Sequence, residues 1–372
     1  MGKKNCIFYL PYPLSKTGNR ARQLRPRKML MAFREMGYSI FLVQGYSDKR
    51  KKRITMLKEL IGSGVTFDFM YGECNTEPIR LSDPDHLPKH PLMDFRFFKY
   101  LKEQGIPVGL FYGDVFWKFP VYRESLPFWK REIALHYYRS ELKSFAGVLD
   151  RLFIPDMGMG KYLDAPGIDS IISALPPGGD PAELPAEKKY AERDFSEEPM
   201  EILYVGGIQN HYRMDKLFAA LAGIPEARLT VCTREEEWEQ EKERLAPYIT
   251  DRVEIIHKNA DELIPYYKKA DIGSLIFEPE EYWEMAQPVK AYEYLSYGLP
   301  VLATRGTAVG SFVERTGFGW TLDCEAEVIS TWIRAILKHP EWLEEKRKNA
   351  EKAIPDNLWL SRAKQAAEEL MS

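Results

Sequence analysis

The chain has 372 residues, 45% apolar and 29% charged, a globular composition long enough for two domains and too apolar for a disordered or fibrous chain. Its net charge of -3 conceals a split. Residues 1–182 carry 28 Lys and Arg against 19 Asp and Glu, and the remainder carries 24 against 36, which suggests two domains with different partners, the basic one facing something anionic. Cys6, Cys74, Cys232 and Cys324 form no Cys-x-x-Cys pair, against a disulfide framework or a structural zinc and in favour of a reducing, cytoplasmic setting. No run of about 18 apolar residues is long enough to span a membrane. The opening MGKKNCIFYLPYP is basic and then apolar, but short, Pro-interrupted and without a small-residue cleavage site, so it reads as a first buried strand.

After that strand comes LSKTGNRARQLRPRK, with Gly18 among Lys16, Arg20, Arg22 and Arg25, leading into a helix. Gly18 allows close approach and arginines fork onto phosphate oxygens. Cations at a helix start oppose its dipole, which favours an anionic partner over a plain solvated helix end. The run Lys49-Arg50-Lys51-Lys52-Arg53 heads a helix containing Ile54, Met56, Leu57, Leu60 and Ile61. An anionic membrane surface, on the inner face, is its preferred partner, with a plain solvated helix start as the close alternative; no stacking motif accompanies it, so nucleic acid is disfavoured. Asp83-Pro84-Asp85 has the form Asp-x-Asp but lies in a Pro-rich loop, and Pro88 separates His86 from His90. Turn chemistry explains both better than a metal site, and no metal is expected. In GLFYGDVFWKFP, Asp114 directly follows an apolar run, with Phe116 and Trp117 beside it. Two readings stand level: contact with a sugar or acceptor hydroxyl, or a cap on the next element.

The apolar runs CIFYLPY, SIFLVQG, FDFMYG, VGLFYG and RLFIP precede PPGGDPAELPAEKKYAERDFSEEP, residues 176–199, and EILYVGG, ARLTVCT, VEIIH, IGSLIF and PVLAT follow it. Near-continuous apolar strands alternating with helices predict parallel sheets covered on both faces, here two doubly wound α/β domains. The expected boundaries are 1–178, a linker over 179–199, 200–355, and a C-terminal helix over 356–372 packing back on the first domain. Ligands of such sheets bind beyond the carboxyl ends of the strands.

Two loops there stand out in the second domain. EILYVGGIQNHYRMDKLFAALAG ends a strand at Gly206-Gly207 and is expected to open a helix near Tyr212, a setting for phosphate on free amides with His211 and Arg213 adding charge; a plain strand-to-helix turn is the alternative. FEPEEYWEMAQPVKAYEYLSYGLPVLAT predicts a short helix with Pro288 at its start and Gly298 just past its end. Helical rotation puts Ala291, Tyr292 and Leu295 on an apolar side, with Lys290, Glu293 and Tyr297 together on another. Glu293 then either pairs with Lys290 at the surface or accepts two hydroxyls of a ribose with its two oxygens.

PVKAYEYLSYGLPVLAT resembles the donor-site helix of retaining GT-B-type nucleotide-sugar glycosyltransferases (glycosyl transferases group 1, family 4-like): a glutamate, small or apolar residues, then Gly-x-Pro-Val. DRVEIIHKNADELIPYYKKADIGSLIF and VGSFVERTGFGWTL resemble the flanking segments, and ALPPGGD the domain junction. The resemblance covers about residues 200–325 and implies a GT-B fold, two Rossmann-like domains facing a central cleft. It implies transfer of a sugar from a nucleotide-diphosphate donor, UDP-sugar favoured, with no cofactor, to a glycan, lipid-linked or phosphate-bearing acceptor in cell-surface polysaccharide or glycolipid synthesis. By the same resemblance Glu293 binds the ribose, Gly206 and Gly207 lie beside the diphosphate, and the loop of Gly18 and Arg20 reaches the acceptor side. Catalysis falls to Asp114 and Arg213, donor binding to Gly206, Gly207, His211, Lys290 and Glu293. The chain departs from the family in having Gly207 where Arg is usual, Tyr212 where Lys is usual, and Met285 where a glutamate is usual. Those departures favour one alternative, a catalytically inactive scaffold; a nucleotide-sugar epimerase on the same architecture is the other.

Overall fold

The computed structural model describes residues 4–14, 21–120, 122, 126–186, 188–209 and 212–372. It divides into two compact units, Met1–Pro177 with Trp359–Ser372, and Gly178–Leu358. The first contains six parallel strands: β1 (Asn5–Leu10), β2 (Ser39–Gln44), β3 (Phe69–Glu73), β4 (Val108–Phe111), β5 (Arg151–Ile154) and β6 (Ile172–Ala174), in the order β2-β1-β3-β4-β5-β6. Between them run α1 (Ala21–Glu35), α2 (Ser47–Gly62), α3 (Met93–Glu103) and α4 (Phe128–Val148). The chain's last helix, Trp359–Met371, packs against α1. Every residue of β1 is buried, which is why central parallel strands read as unbroken apolar runs.

Polar side chains close the carboxyl edge of this sheet. Arg50 is buried and forks onto Asp94, with Nε–Oδ1 at 3.0 Å and a second bond of 2.9 Å to Oδ2. It also donates to the carbonyls of Pro11 and Gly45, at 2.9 and 2.7 Å. Arg53 donates to the Leu42 carbonyl at 2.9 Å. The basic run is therefore not one exposed patch: Arg50 and Arg53 are committed inward, while Lys49, Lys51 and Lys52 are exposed. The Asp-x-Asp pair serves turns and a helix start. Asp83 accepts from the Ser47 amide at 2.8 Å and from its hydroxyl at 2.5 Å, and Asp85 accepts from the Leu87 amide at 3.1 Å. His90 lies against Asp48 at 2.9 Å and His86 beside Glu77 at 3.5 Å, so the two histidines have separate partners.

The second unit has β7 (Met200–Val205), β8 (Ala227–Cys232), β9 (Val253–Ile256), β10 (Ile272–Leu275), β11 (Val301–Thr304) and β12 (Gly319–Leu322), all parallel, in the order β12-β11-β10-β7-β8-β9. Its helices are α5 (Asp215–Leu221), α6 (Glu235–Leu245), α7 (Ile264–Lys269), α8 (Val289–Ser296), α9 (Ala308–Thr316), α10 (Ala326–Lys338) and α11 (Glu341–Ala353). The chain winds outward from β7 through β8 and β9, then returns to β10 on the other side of β7. That reversal is the topological switch point, where the strand ends part and leave a crevice. In the first unit the corresponding point lies between β1 and β3.

Residues 178–199, rich in Pro and charge, pack into the second unit. Asp271, wholly buried at the foot of β10, accepts from Lys188 Nζ at 2.8 Å, from Arg193 at 2.8 Å and from the Glu201 amide at 2.9 Å. Gly179 donates its amide to the Asn357 carbonyl at 2.8 Å. A Cβ there would stand 1.9 Å from Ser296 Oγ and 2.6 Å from the Tyr292 carbonyl oxygen of α8, so the chain passes this helix only as glycine.

Candidate functional site

The β7–β10 ladder covers Ile202 opposite Ile272 and Leu203 opposite Gly273, while β7 runs on to Val205. Where the ladder stops, the Tyr294 hydroxyl replaces it, accepting from the Val205 amide at 2.9 Å and donating to the Leu203 carbonyl at 3.3 Å. Its ring lies on Gly273, whose absent Cβ would otherwise meet it at 2.8 Å. Tyr294 thus pins α8 into the switch-point crevice. The helix itself follows from its ends: Pro288 is extended at the cap, with φ -67° and ψ 131°, and Gly298 turns the chain out at φ +63°.

Glu293 precedes that anchor by one residue, with 25% of its side chain exposed. Its Oε2 accepts from the Tyr267 hydroxyl at 2.7 Å and from Lys290 Nζ. Among the described residues no hydrogen bond reaches Oε1. The Tyr267 ring stacks on Tyr297 at 4.7 Å, and burial first, the Glu293 charge second, push its hydroxyl pKa well up, so it remains a neutral donor. The Lys290–Glu293 pair expected from spacing is present, and the arrangement holds one carboxylate oxygen fixed while the other has no hydrogen bond among the described residues.

The Gly206-Gly207 turn is less open than its sequence suggests. The Gly206 amide donates to the Cys232 carbonyl at 3.0 Å. The Ile208 amide donates to Glu237 Oε2 at 3.2 Å, and Glu237 is in turn paired with Arg234. The following helix starts at Asp215 and not near Tyr212, because Tyr212 turns edge-on to Phe277 and Trp283, with ring centroids at 5.8 and 5.1 Å. Arg213 has a half-exposed guanidinium 3.5 Å from Asp215, and its carbonyl accepts from the Glu278 amide at 3.2 Å, tying the loop after β7 to the loop after β10. Met285 is buried.

In the first unit Asp114 accepts from the Phe116 amide at 2.8 Å, the hydrogen bond of the capping reading. Trp117 is buried, stacked on Tyr138 at 4.9 Å and donating to the Tyr112 hydroxyl at 3.0 Å. Gly18, Arg20 and His211 lie outside the described residues. Sequence reasoning missed Tyr267, Tyr294 and Glu237; only their place in helices beside strand ends could have pointed to them. Among the described residues, no three His, Cys, Asp or Glu side chains gather as a metal site requires.

Residues 199–338 match the family model of the glycosyl transferases group 1. The matched segment lies within the second unit. Sucrose-phosphate synthase from Thermosynechococcus elongatus superposes with a TM-score of 0.65 at 15% identity, covering 98% of each chain. Anabaena HepE in complex with UDP and glucose gives 0.65 at 11% over 99% of each. WaaG, a glycosyltransferase involved in lipopolysaccharide biosynthesis, gives 0.59 at 16%, covering 99% of this chain and all of its own. The fold is GT-B, two Rossmann-like units of the kind these enzymes have. No curated protein sequence matches the chain.

Proposed function

We propose that the protein transfers a sugar from a UDP-sugar to a hydroxyl of a glycan, lipid-linked or phosphate-bearing acceptor, in cell-surface polysaccharide or glycolipid synthesis, at the cytoplasmic face of a membrane. The observation that carries this reading is Glu293 at the switch point, with one oxygen fixed by Tyr267 and Lys290 and the other available to a ribose hydroxyl. The group 1 match over the same unit supports it, and one solved relative of the fold was crystallised with UDP and glucose.

In this reading the second unit holds the nucleotide and the basic first unit the acceptor. Lys290 and Arg213 carry the positive charge that meets the departing diphosphate, and stabilising that charge is the main catalytic work. The reaction uses no metal and retains the anomeric configuration. Asp114 and the loop of Gly18 and Arg20 serve the acceptor side. A panel of nucleoside diphosphates tests this by thermal shift. UDP at millimolar concentration raises the melting temperature, and a flat response across the panel overturns the reading.

A second reading, a GT-B scaffold without transfer, draws on Tyr212 turned into an aromatic cluster and on Glu237 seated at the Ile208 amide. It predicts that Glu293→Ala changes no cellular function that depends on the intact protein.

A further inference from the structure

The first turns of α4 carry two consecutive aromatics in water, Phe128 at 70% and Trp129 at 61% exposure, followed by Ile133 at 49%. The side chains α4 buries, Tyr138, Glu141, Leu142 and Phe145, all lie in its second half. Trp129 and Ile133 are four residues apart and share a face. Apolar groups of this size exposed together mark an interaction surface. The cations are interleaved with them: Lys130 lies over the Trp129 ring at 5.4 Å, Arg131 over the Phe128 ring at 5.1 Å, and Arg139 is exposed farther along.

We propose that the first two turns of α4 are a shallow docking wedge for an anionic lipid bilayer. Phe128, Trp129 and Ile133 enter the headgroup boundary while Lys130 and Arg139 meet lipid phosphates, Arg131 being engaged by Glu132 at 3.3 Å. Charge selects this occupant. A second copy seated on the patch by two-fold symmetry would face Lys130 and Arg139 with the same cations, and Glu132 alone would oppose them. The excess of positive charge in residues 1–182 attracts an anionic surface to this half of the chain. No helix among the described residues is long and apolar enough to cross a membrane, so the contact is interfacial. This surface replaces the Lys49–Arg53 run as the membrane element, since Arg50 and Arg53 are bonded inward. The inference deepens the lipid-linked acceptor reading and rests on it for its purpose only.

Sedimentation of the full chain with phosphatidylcholine vesicles, with and without phosphatidylglycerol, tests it. The protein pellets with the anionic vesicles, and raised salt releases it. The double variant Phe128→Ser/Trp129→Ser and the double variant Lys130→Glu/Arg139→Glu each lose about ten-fold or more in partitioning, with unchanged thermal unfolding. Lys51→Glu/Lys52→Glu pellets like wild type. The proposal is overturned if wild type stays in solution, if the aromatic variant pellets undiminished, or if that variant splits a dimer in light scattering. The assay contains neither donor nor acceptor, so its failure and a failure of nucleotide binding are separate results.

Discussion

Each unit places a glutamate, a tyrosine and a cation at the switch point of its sheet, and the two clusters differ in their access to water. In the first unit Glu73 ends β3, accepts from the Tyr71 hydroxyl at 3.0 Å and lies 3.4 Å from Arg25. Both charged side chains are buried, and Arg25 is further held over the Phe111 ring at 3.5 Å and by the Pro176 carbonyl at 3.1 Å. Burial pushes the Glu73 pKa up to about 7, against the smaller opposing effects of Arg25 and Tyr71. In the second unit Glu293 has the same kinds of partner and keeps a quarter of its side chain in water. The same three groups make a structural clamp when sealed and a ligand site when left open, because a sealed carboxylate has no room for an incoming hydroxyl.

The sharpest way to break this contrast is to remove each carboxylate in turn. Glu73→Ala strands a buried arginine and lowers unfolding free energy by roughly 3–5 kcal/mol, whereas Glu293→Ala costs about 1 kcal/mol or less; urea denaturation of both variants checks the difference. Equal losses would mean that Glu293 is structural as well. Gly179→Ala reaches the open site from behind, since the new methyl overlaps α8 at Ser296 and Tyr292. It destabilises the second unit by about 1–3 kcal/mol and weakens nucleotide binding along with it.

Acidity gives the next test. A carboxyl whose folded pKa stands above its ordinary 4.5 takes up a proton on folding between those values, so stability falls as pH rises from 4.5 toward 7 and levels off above. Glu73 alone makes the first unit more stable at pH 5.5 than at pH 7.5 by on the order of 2 kcal/mol. Buried Glu141, also pushed up to about 7 while it accepts from the Ile79 and Arg80 amides, adds to the trend. Melting curves across that interval should flatten in Glu73→Gln. The smallest effect belongs to Tyr267→Phe, which removes one hydrogen bond from Glu293 and costs about 0.5 kcal/mol in stability.

Much of the architecture was legible because buried parallel strands are continuous apolar runs, as in CIFYLPY and EILYVGG. The sixth strand of each sheet was not: β6 is three residues long and half-buried throughout, and β12 buries only Trp320 and Leu322. At the site, the Pro288-to-Gly298 punctuation and the Lys290–Glu293 spacing could be read directly. The Tyr294 anchor could not, since its two hydrogen bonds reach residues about 90 positions earlier in the chain. Nor could the Glu237 contact at Ile208, or the inward commitment of Arg50. Each depends on which distant backbone groups lack partners, and one-dimensional spacing carries no trace of that.

The open carboxylate is the centre of the account, and calorimetric titration of UDP into wild type and Glu293→Ala addresses it most directly. The account predicts that wild type binds UDP and that the variant, still folded and melting within a few degrees of wild type, binds it at least about ten-fold more weakly, about 1.4 kcal/mol. Equal affinities in the two proteins would contradict it.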